Sequence, residues 1–208
     1  MEYLAAGYQK GEGLAFLGKT HVPGGFCMFL CGVYREDKID RELSEYVWRR
    51  LKHWAMGHRV TVNSPEELEQ LLTELQEEVG NYGQIQKRRG RMGEIGWTYL
   101  SLLLQVEELA LAAIRGQGQM LVCQNGWGKK VWSPLFNGEK NGMQLVRLQP
   151  RVGVLLLERK IAVSSEWQQV LDPAEIRNEK QLQKRVKELG EYAPEKIGNL
   201  AYMIYKGE

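Results

Sequence analysis

The stretch that decides the fold is FCMFLCGVY, residues 26–34. It is a continuous apolar run that is rich in aromatic residues and too short to form a stable helix. Both faces of such a strand are apolar, and both must be covered. We therefore predict a buried strand inside the core.

The residues after this strand predict a first amphipathic helix. Apolar residues recur at steps of three and four from Ile39 to Trp54, with charged residues between them, and Gly57 stands where the pattern stops. Ile39 is included in this predicted helix.

A second helix is predicted directly after the first. Ser64, followed by Pro65 and then by Glu67, has the spacing of a capping box, in which the serine caps the helix. The apolar residues from Leu68 to Val79 then form its buried stripe.

The rest of the chain predicts mainly strands. Short apolar runs separated by glycine-rich breaks between Gly90 and Pro134 indicate strands in hairpin order. Two further apolar runs lead through a turn at Asp172 and Pro173 into helical patterns that end near Gly190. The run LAYMIY, residues 200–205, predicts the last strand.

Composition favours one cytoplasmic domain, residues 1–208. The apolar fraction of 43% is enough for one sizeable core, and the net charge of +2 gives no field that would attract nucleic acid or an anionic membrane. We expect no membrane association, since the sequence contains no apolar run long enough to cross a bilayer and its first residues lack a signal-peptide pattern. Three cysteines, an odd count, fit a reducing compartment.

Five short segments stand out by their order along the chain, and they are Gly32–Glu36, Gly96–Thr98, Gly116–Gly118, Ser164–Trp167 and Gly198–Asn199. In this order, and in its order of strands and helices, the sequence resembles the metal-dependent serine/threonine phosphatases of the 2C type. The resemblance implies an α+β fold, a four-layer α-β-β-α sandwich with two mostly antiparallel sheets flanked by helix pairs.

The resemblance also shows which residues replace the family's metal-binding aspartates. Arg35 stands at the aspartate of Val-x-Asp-Gly, Gln117 at that of Gly-Asp-Ser, and Ser165 at that of Ser-Asp-Gly-Leu. Gly198 replaces the aspartate of the final Asp-Asn, whose asparagine remains as Asn199. The family's phosphate-binding arginine has no counterpart between residues 7 and 20.

These replacements predict that no metal centre is present. Two divalent cations require a cluster of anionic oxygen ligands, and a guanidinium or a bare glycine cannot provide one. A shift of register would leave Glu36, Asp37 or Glu166 as replacement ligands for weakly bound Mn²⁺ or Mg²⁺, but Gln117 and Gly198 have no acidic neighbour within two residues. We also expect Arg35 to fill the vacated metal position and to pair with Glu166 or Glu36.

The predicted function is that of a pseudophosphatase, a catalytically inactive regulatory or partner-binding domain without a cofactor. Its partner is expected to be another protein, with a phosphorylated protein as one option. The alternative is an active metal-dependent serine/threonine phosphatase with a divergent metal site. The sequence does not identify an oligomeric state.

One basic run is a further candidate. Lys87, Arg88, Arg89 and Arg91 lie close together and could bind an anion or an acidic partner, although a solvated helix end is the simpler interpretation. Nucleic acid is not favoured as a partner, because no aromatic residues are interleaved with these charges.

Other candidate motifs have simpler structural explanations. Cys27 and Cys31 are too far apart on a strand to share one metal ion, and we expect them to fill the core. His53 and His58 are not spaced to share a helix face. The glycines of Gly116–Gly118 predict a tight connection between strands, because no phosphate-binding helix start follows them.

Overall fold

The structure is a computed structural model that describes residues 2–35, 38–88, 95–126, 129–161, 165–192 and 198–207. Two antiparallel sheets form the centre of the described structure. The first sheet has the strand order β1-β11-β10-β7-β8, and its strands are β1 (Glu2–Gln9), β7 (Gln119–Gly126), β8 (Lys129–Pro134), β10 (Val152–Leu157) and β11 (Asn199–Gly207).

The second sheet has the strand order β2-β3-β5-β6-β9, with the short strand β4 added beside β3. Its strands are β2 (Leu14–Lys19), β3 (Gly25–Arg35), β4 (Lys38–Ile39), β5 (Ile95–Val106), β6 (Leu109–Gly116) and β9 (Gly142–Arg147). Its longest strands, β3 and β5, pair over almost their whole length.

Four helices cover the outer faces of the two sheets. Helices α1 (Arg41–Gly57) and α2 (Ser64–Arg88) pack on the second sheet, and α3 (Ser165–Val170) and α4 (Glu179–Tyr192) pack on the first. A third hydrophobic cluster fills the space between the sheets. The predicted four-layer α-β-β-α sandwich is therefore confirmed.

The prediction for residues 26–34 is confirmed by β3, whose residues from Gly25 to Val33 are all buried. Cys27 and Phe29 face α1 and α2, whereas Met28 and Leu30 face the first sheet. The strand is apolar throughout because side chains on both of its faces are covered.

Both helices predicted after β3 are present, but their starts differ from the prediction. Ile39 belongs to β4, where it pairs with Tyr34, and α1 begins after Asp40, whose carboxylate accepts the N–H of Leu43 at 3.0 Å. An aspartate at this position satisfies a free N–H group in the first turn of the helix. The prediction placed Ile39 in the helix because its position fits the helical spacing of apolar residues, but Ile39 precedes the helix.

Ser64 does not cap α2 as predicted. Its hydroxyl accepts the N–H of Thr61 at 2.8 Å and contacts His58 Nε2 at 2.8 Å, while the N–H of Glu67 bonds to the carbonyl of Asn63. Ser64 is fully buried. The capping-box pattern located the start of the helix correctly, but this hydroxyl stabilises the connection between α1 and α2.

The C-terminal elements follow the predicted order in part. The last strand is confirmed as β11, and Asp172 and Pro173 lie in a turn before α4. Helix α3, which precedes this turn, and strands β1 and β2 were not assigned from the sequence. Strand β2 has only half-buried and exposed residues, so its apolar signal is weak. Among the described residues, no helix is long and apolar enough to span a membrane.

Candidate functional site

A glutamate fills the position next to Gly198. Glu158 directly follows β10, and its Oε1 accepts the N–H of Gly198 at 2.8 Å, just before β11 begins. A Cβ added to Gly198 would overlap this carboxylate and would lie only 2.8 Å from Oε2. Any side chain at position 198 therefore requires Glu158 to move.

Asn199 ties three parts of the chain together at the same point. Its Oδ1 accepts the N–H groups of Lys10 and Gly11, both at 3.2 Å, and its Nδ2 donates to the hydroxyl of Tyr99 at 3.0 Å. Lys10 and Gly11 also donate to the carbonyl of Gly198, at 2.6 and 2.9 Å. Asn199 is fully buried, and its amide is used to hold the connection between β1 and β2 in place.

Tyr99 closes the space between the sheets beside this cluster. Its ring belongs to the core between the sheets, and its hydroxyl interacts with the Glu158 carboxylate as well as with Asn199. Gly32 leaves room for the ring, since an added Cβ there would lie 2.9 Å from Tyr99 Cε1. Glu158, Tyr99, Gly198 and Asn199 therefore form one packed polar group, which we call the Glu158 cluster.

Burial determines the ionisation of the two acidic groups in the Glu158 cluster. Removal from water raises the pKa of Glu158 above its usual 4.5, although the N–H of Gly198 partly offsets this effect by stabilising the carboxylate. Burial likewise raises the pKa of the Tyr99 hydroxyl, which therefore stays protonated. The cluster thus contains one titratable carboxyl group that water reaches poorly.

Arg35 lies at the end of β3 and is directed toward the helices. Its Nη2 pairs with Asp40 Oδ2 at 2.7 Å, and its guanidinium lies 5.3 Å from the centre of the Tyr82 ring of α2. The partner is thus Asp40, an acid that the sequence analysis did not consider. Glu36 and the side chain of Glu166, the expected partners, lie outside the described residues.

The structure separates Arg35 from the Glu158 cluster. Residues alternate in direction along a strand, and Val33 belongs to the core beneath α1 and α2, which is the side from which Asp40 and Tyr82 contact Arg35. Tyr34 points the other way and lines a cavity near the cluster. The guanidinium of Arg35 therefore lies on the helix side of the second sheet, beside Asp40 and Tyr82.

Gln117 lies at the open end of the sandwich. A cavity of about 460 Å³ is lined there by Tyr34, Ile39, Trp97, Thr98, Gly116, Gln117 and Lys140. The Gln117 backbone N–H donates to the carbonyl of Thr98 at 2.9 Å, and its exposed side chain faces this cavity. Three of the five sequence segments therefore meet at one opening, since Tyr34 belongs to Gly32–Glu36 and the other lining residues include members of Gly96–Thr98 and Gly116–Gly118.

Comparison with solved structures places this arrangement among known folds. The Mycobacterium tuberculosis serine/threonine phosphatase PstP matches with a TM-score of 0.71 and 10% identity, over 100% of this chain and 99% of that one. The chain has the phosphatase 2C fold. The resemblance seen in the sequence is thereby confirmed at the level of the fold.

Two further solved structures with the phosphatase 2C fold also match this chain over almost its whole length. The PstP catalytic domain in complex with two manganese ions has a TM-score of 0.69 and 11% identity, covering 98% of this chain and 97% of that one. PppA, described as a key regulatory component of T6SS in Pseudomonas aeruginosa, has a TM-score of 0.59 and 12% identity, covering 99% and 98%. No protein-family model and no curated protein matches the sequence.

The Glu158 cluster does not suit a pair of metal ions. Such a centre needs several anionic oxygens, but Glu158 has the one carboxylate of the cluster, and Asn199 Oδ1 already accepts two N–H groups. Within the parts of the chain that the structure describes, no three histidine, cysteine, aspartate or glutamate residues come together as a metal site.

The structure describes only part of the two remaining candidates, Ser165 and the basic run at the end of α2. Ser165 begins α3, but its side chain lies outside the described set. Helix α2 continues through Lys87 and ends at Arg88, whose side chain is exposed, whereas Arg89 and Arg91 fall among residues that are not described. The basic run therefore stays a prediction.

The structural explanations for the cysteines and glycines are confirmed. Cys27 and Cys31 are fully buried, and burial raises the pKa of both thiols. Gly116 has a φ of +61°, a conformation that favours glycine. The N–H of Gly118 donates to the carbonyl of Arg115, which closes the tight connection between β6 and β7.

His58 also has a structural role. It stacks on Trp54 with the ring centres 4.0 Å apart and contacts the buried Ser64. The ring is packed between the end of α1 and the start of α2, and burial lowers its pKa.

Sequence reasoning missed Glu158 and Tyr99, which fill the space beside Gly198 that we call the cleft. Both had a visible signal. Glu158 is an acid directly after the apolar run VGVLLL, and Tyr99 directly follows the segment Gly96–Thr98. Neither lies within the five segments on which the resemblance rested, so both were passed over.

Proposed function

We propose that this protein is a pseudophosphatase, a regulatory or partner-binding domain that keeps the phosphatase 2C fold without its chemistry. The observation that carries the proposal is the Glu158 carboxylate, which lies where a side chain at position 198 would begin. The family motif has a metal-binding aspartate at this position. Here a different carboxylate fills the space and is held by hydrogen bonds within the chain.

Charge supports the same proposal. Two divalent cations bring four positive charges, and Glu158 is the one carboxylate in the cluster. Burial raises its pKa, because removal from water disfavours the anion. The proposal therefore includes no resident cofactor, and Mn²⁺ or Mg²⁺ belongs to the alternative of an active enzyme with a divergent site.

Binding of a partner protein is the proposed use of the fold. The open end of the sandwich presents the partly exposed aromatic side chains of Tyr34 and Trp97 beside the exposed Gln117 and Lys140. Aromatic side chains at an open cavity are typical of recognition sites. The proposal also keeps the cytoplasmic location that was expected from the sequence.

Turnover of para-nitrophenyl phosphate at millimolar Mn²⁺ tests the inactivity directly. We expect no release of nitrophenol above that of a protein-free control. The Glu158→Gln variant identifies the source of any activity, because it keeps the size of the side chain and removes its charge. Hydrolysis by the wild type that the Glu158→Gln variant loses would overturn the proposal and favour the active enzyme.

A further inference from the structure

A second groove lies on the other face of the second sheet. It has a volume of about 470 Å³ and runs between α2 and the start of β9. Its polar and aromatic lining comes from Glu69 and Gln76 of α2, Trp97 of β5, Arg115 of β6, and Asn141. We call it the Arg115 groove.

Arg115 forms the floor of this groove. It lies opposite Leu100 in the sheet, on the side covered by α2, and its side chain is only 10% exposed. Its Nη1 donates to the carbonyl of Ile114 at 2.9 Å, and its Nη2 pairs with Glu69 Oε2. A guanidinium has five N–H donors, and these are its two acceptors in the described part of the chain. Arg115 therefore has capacity to bind an anion in the groove.

Glu69 occupies the place that such an anion would take. Its side chain is 59% exposed, so its carboxylate reaches Arg115 from the solvent side. Ion pairs with one exposed partner are weak, because water competes for the exposed charge. An external carboxylate or phosphate that binds Arg115 through two parallel hydrogen bonds can replace Glu69.

Trp97 provides an apolar surface beside the charge. It packs against the core beneath α2 and remains partly exposed, and it lines both the Arg115 groove and the cavity at Gln117. A flat aromatic ring stacks well on an indole surface. The groove thus combines a buried cation with an accessible aromatic face.

We propose that the Arg115 groove binds an oxyanion carried on an aromatic ring, with a phosphate or a carboxylate as the anionic group. The anion displaces Glu69 from Arg115, and the ring packs on Trp97. This goes beyond the proposed function, because the groove lies on the opposite face of the sheet from the Glu158 cluster. Binding here does not depend on whether the cleft is active.

Calorimetric titration with phenylphosphonate tests the proposal, because this probe carries a ring and an oxyanion and cannot be hydrolysed. We expect it to bind at least about tenfold more tightly than inorganic phosphate, which lacks the ring, while benzyl alcohol, which lacks the anion, shows no binding. Benzoate is the carboxylate counterpart. Whichever of phenylphosphonate and benzoate binds more tightly identifies the preferred anionic group.

The Glu69→Gln variant gives the sharpest result. Replacing the internal anion by a neutral amide should tighten phenylphosphonate binding by about three- to tenfold, since the amide competes less strongly than the carboxylate for Arg115. Glu108→Gln is the matched control, because it removes the same charge from an exposed acid that pairs with another arginine, Arg147. We expect the control to bind as the wild type does.

Variants of Trp97 test the aromatic surface. Trp97→Ala should weaken binding by about tenfold, whereas Trp97→Phe, which keeps a flat ring, should retain most of it. The phenylalanine variant also serves if the alanine variant fails to fold. Equal affinity of the wild type and Glu69→Gln, equal affinity for inorganic phosphate and phenylphosphonate, or no binding of either acid would each overturn the proposal.

Discussion

The Glu158 cluster and the Arg115 groove lie on opposite faces of the second sheet and use their charged groups in opposite ways. In the cluster, the half-buried carboxylate of Glu158 is held by Gly198 and Tyr99. In the groove, the buried Arg115 pairs with Glu69, whose side chain is largely exposed. The two regions thus differ in how their charge is held, by several groups within the chain in the cluster and by one exposed acid in the groove.

The difference also determines how strongly each region should respond to substitution. A packed cluster resists change because moving one group leaves several others without partners. An exposed partner, by contrast, exchanges its hydrogen bonds with water at little cost. Substitutions in the cluster should therefore affect stability strongly, and substitutions in the groove should affect it weakly.

The largest effect is expected from Gly198→Ala. The added methyl group overlaps the Glu158 carboxylate, and we expect the free energy of unfolding to fall by about 2 to 3 kcal/mol, measured by urea denaturation. Gly80→Ala is the control. Gly80 lies in α2 with nothing within 4 Å of an added Cβ, so this change should stabilise the protein by about 0.5 to 1 kcal/mol.

A double variant shows whether Glu158 causes the loss. Glu158→Ala removes the carboxylate that Gly198→Ala would overlap, so the double variant should be less destabilised than the sum of the two single variants. Additive losses would mean that the glycine is required for another reason.

The next largest effect is expected from Tyr99→Phe. It removes the hydroxyl that accepts from Asn199 and interacts with Glu158, and it leaves buried polar groups without a partner. We expect a loss of about 2 kcal/mol in the free energy of unfolding. Tyr46→Phe, which removes an exposed hydroxyl bonded to Glu78, should cost about 0.5 kcal/mol or less. Similar losses in both variants would contradict the account of a packed cluster.

The pH dependence of stability tests the burial of Glu158. Because burial raises its pKa in the folded state, the folded protein holds this proton to higher pH than the unfolded chain does. The stability of the wild type relative to Glu158→Gln should therefore fall as the pH rises above the usual value of 4.5 and through the folded pKa. Urea denaturation of both proteins at steps of about half a pH unit, from about pH 4 to about pH 8, measures this difference. A difference that does not change with pH would show that Glu158 is well solvated.

The smallest effect is expected in the Arg115 groove. Glu69→Gln removes an exposed charge, and its amide oxygen can still accept from Arg115, so the free energy of unfolding should change by less than about 1 kcal/mol. Thermal unfolding monitored by circular dichroism is sufficient to measure it. A loss as large as that of Gly198→Ala would show that Glu69 is structural, and the contrast between the two regions would disappear.

The sequence predicted the layers of this fold better than it predicted the cleft. Continuous burial explains why residues 26–34 were identified correctly, since a strand covered on both faces has an unmistakable apolar pattern. Boundaries were less certain where one residue fits two elements. Ile39 continues the helical spacing of α1 but pairs as a strand, because Asp40 begins the helix after it.

The contents of the cleft depend on contacts between distant parts of the chain. Glu158 and Tyr99 are separated by 59 positions in the sequence, and nothing in the local pattern of either residue indicates that they meet at Gly198. The resemblance predicted which positions stand where the family has aspartates, but not which side chains lie beside Gly198. Arg35 shows the same limit, because its direction depends on the strand face and on Asp40.

Titration of the protein with Mn²⁺ by calorimetry tests the central claim most directly. If Glu158 fills the cleft as described, millimolar Mn²⁺ should produce no saturable heat, and Glu158→Gln should behave in the same way. Saturable binding of two equivalents of Mn²⁺ by the wild type, lost in Glu158→Gln, would show that Glu158 is a metal ligand and would contradict the account.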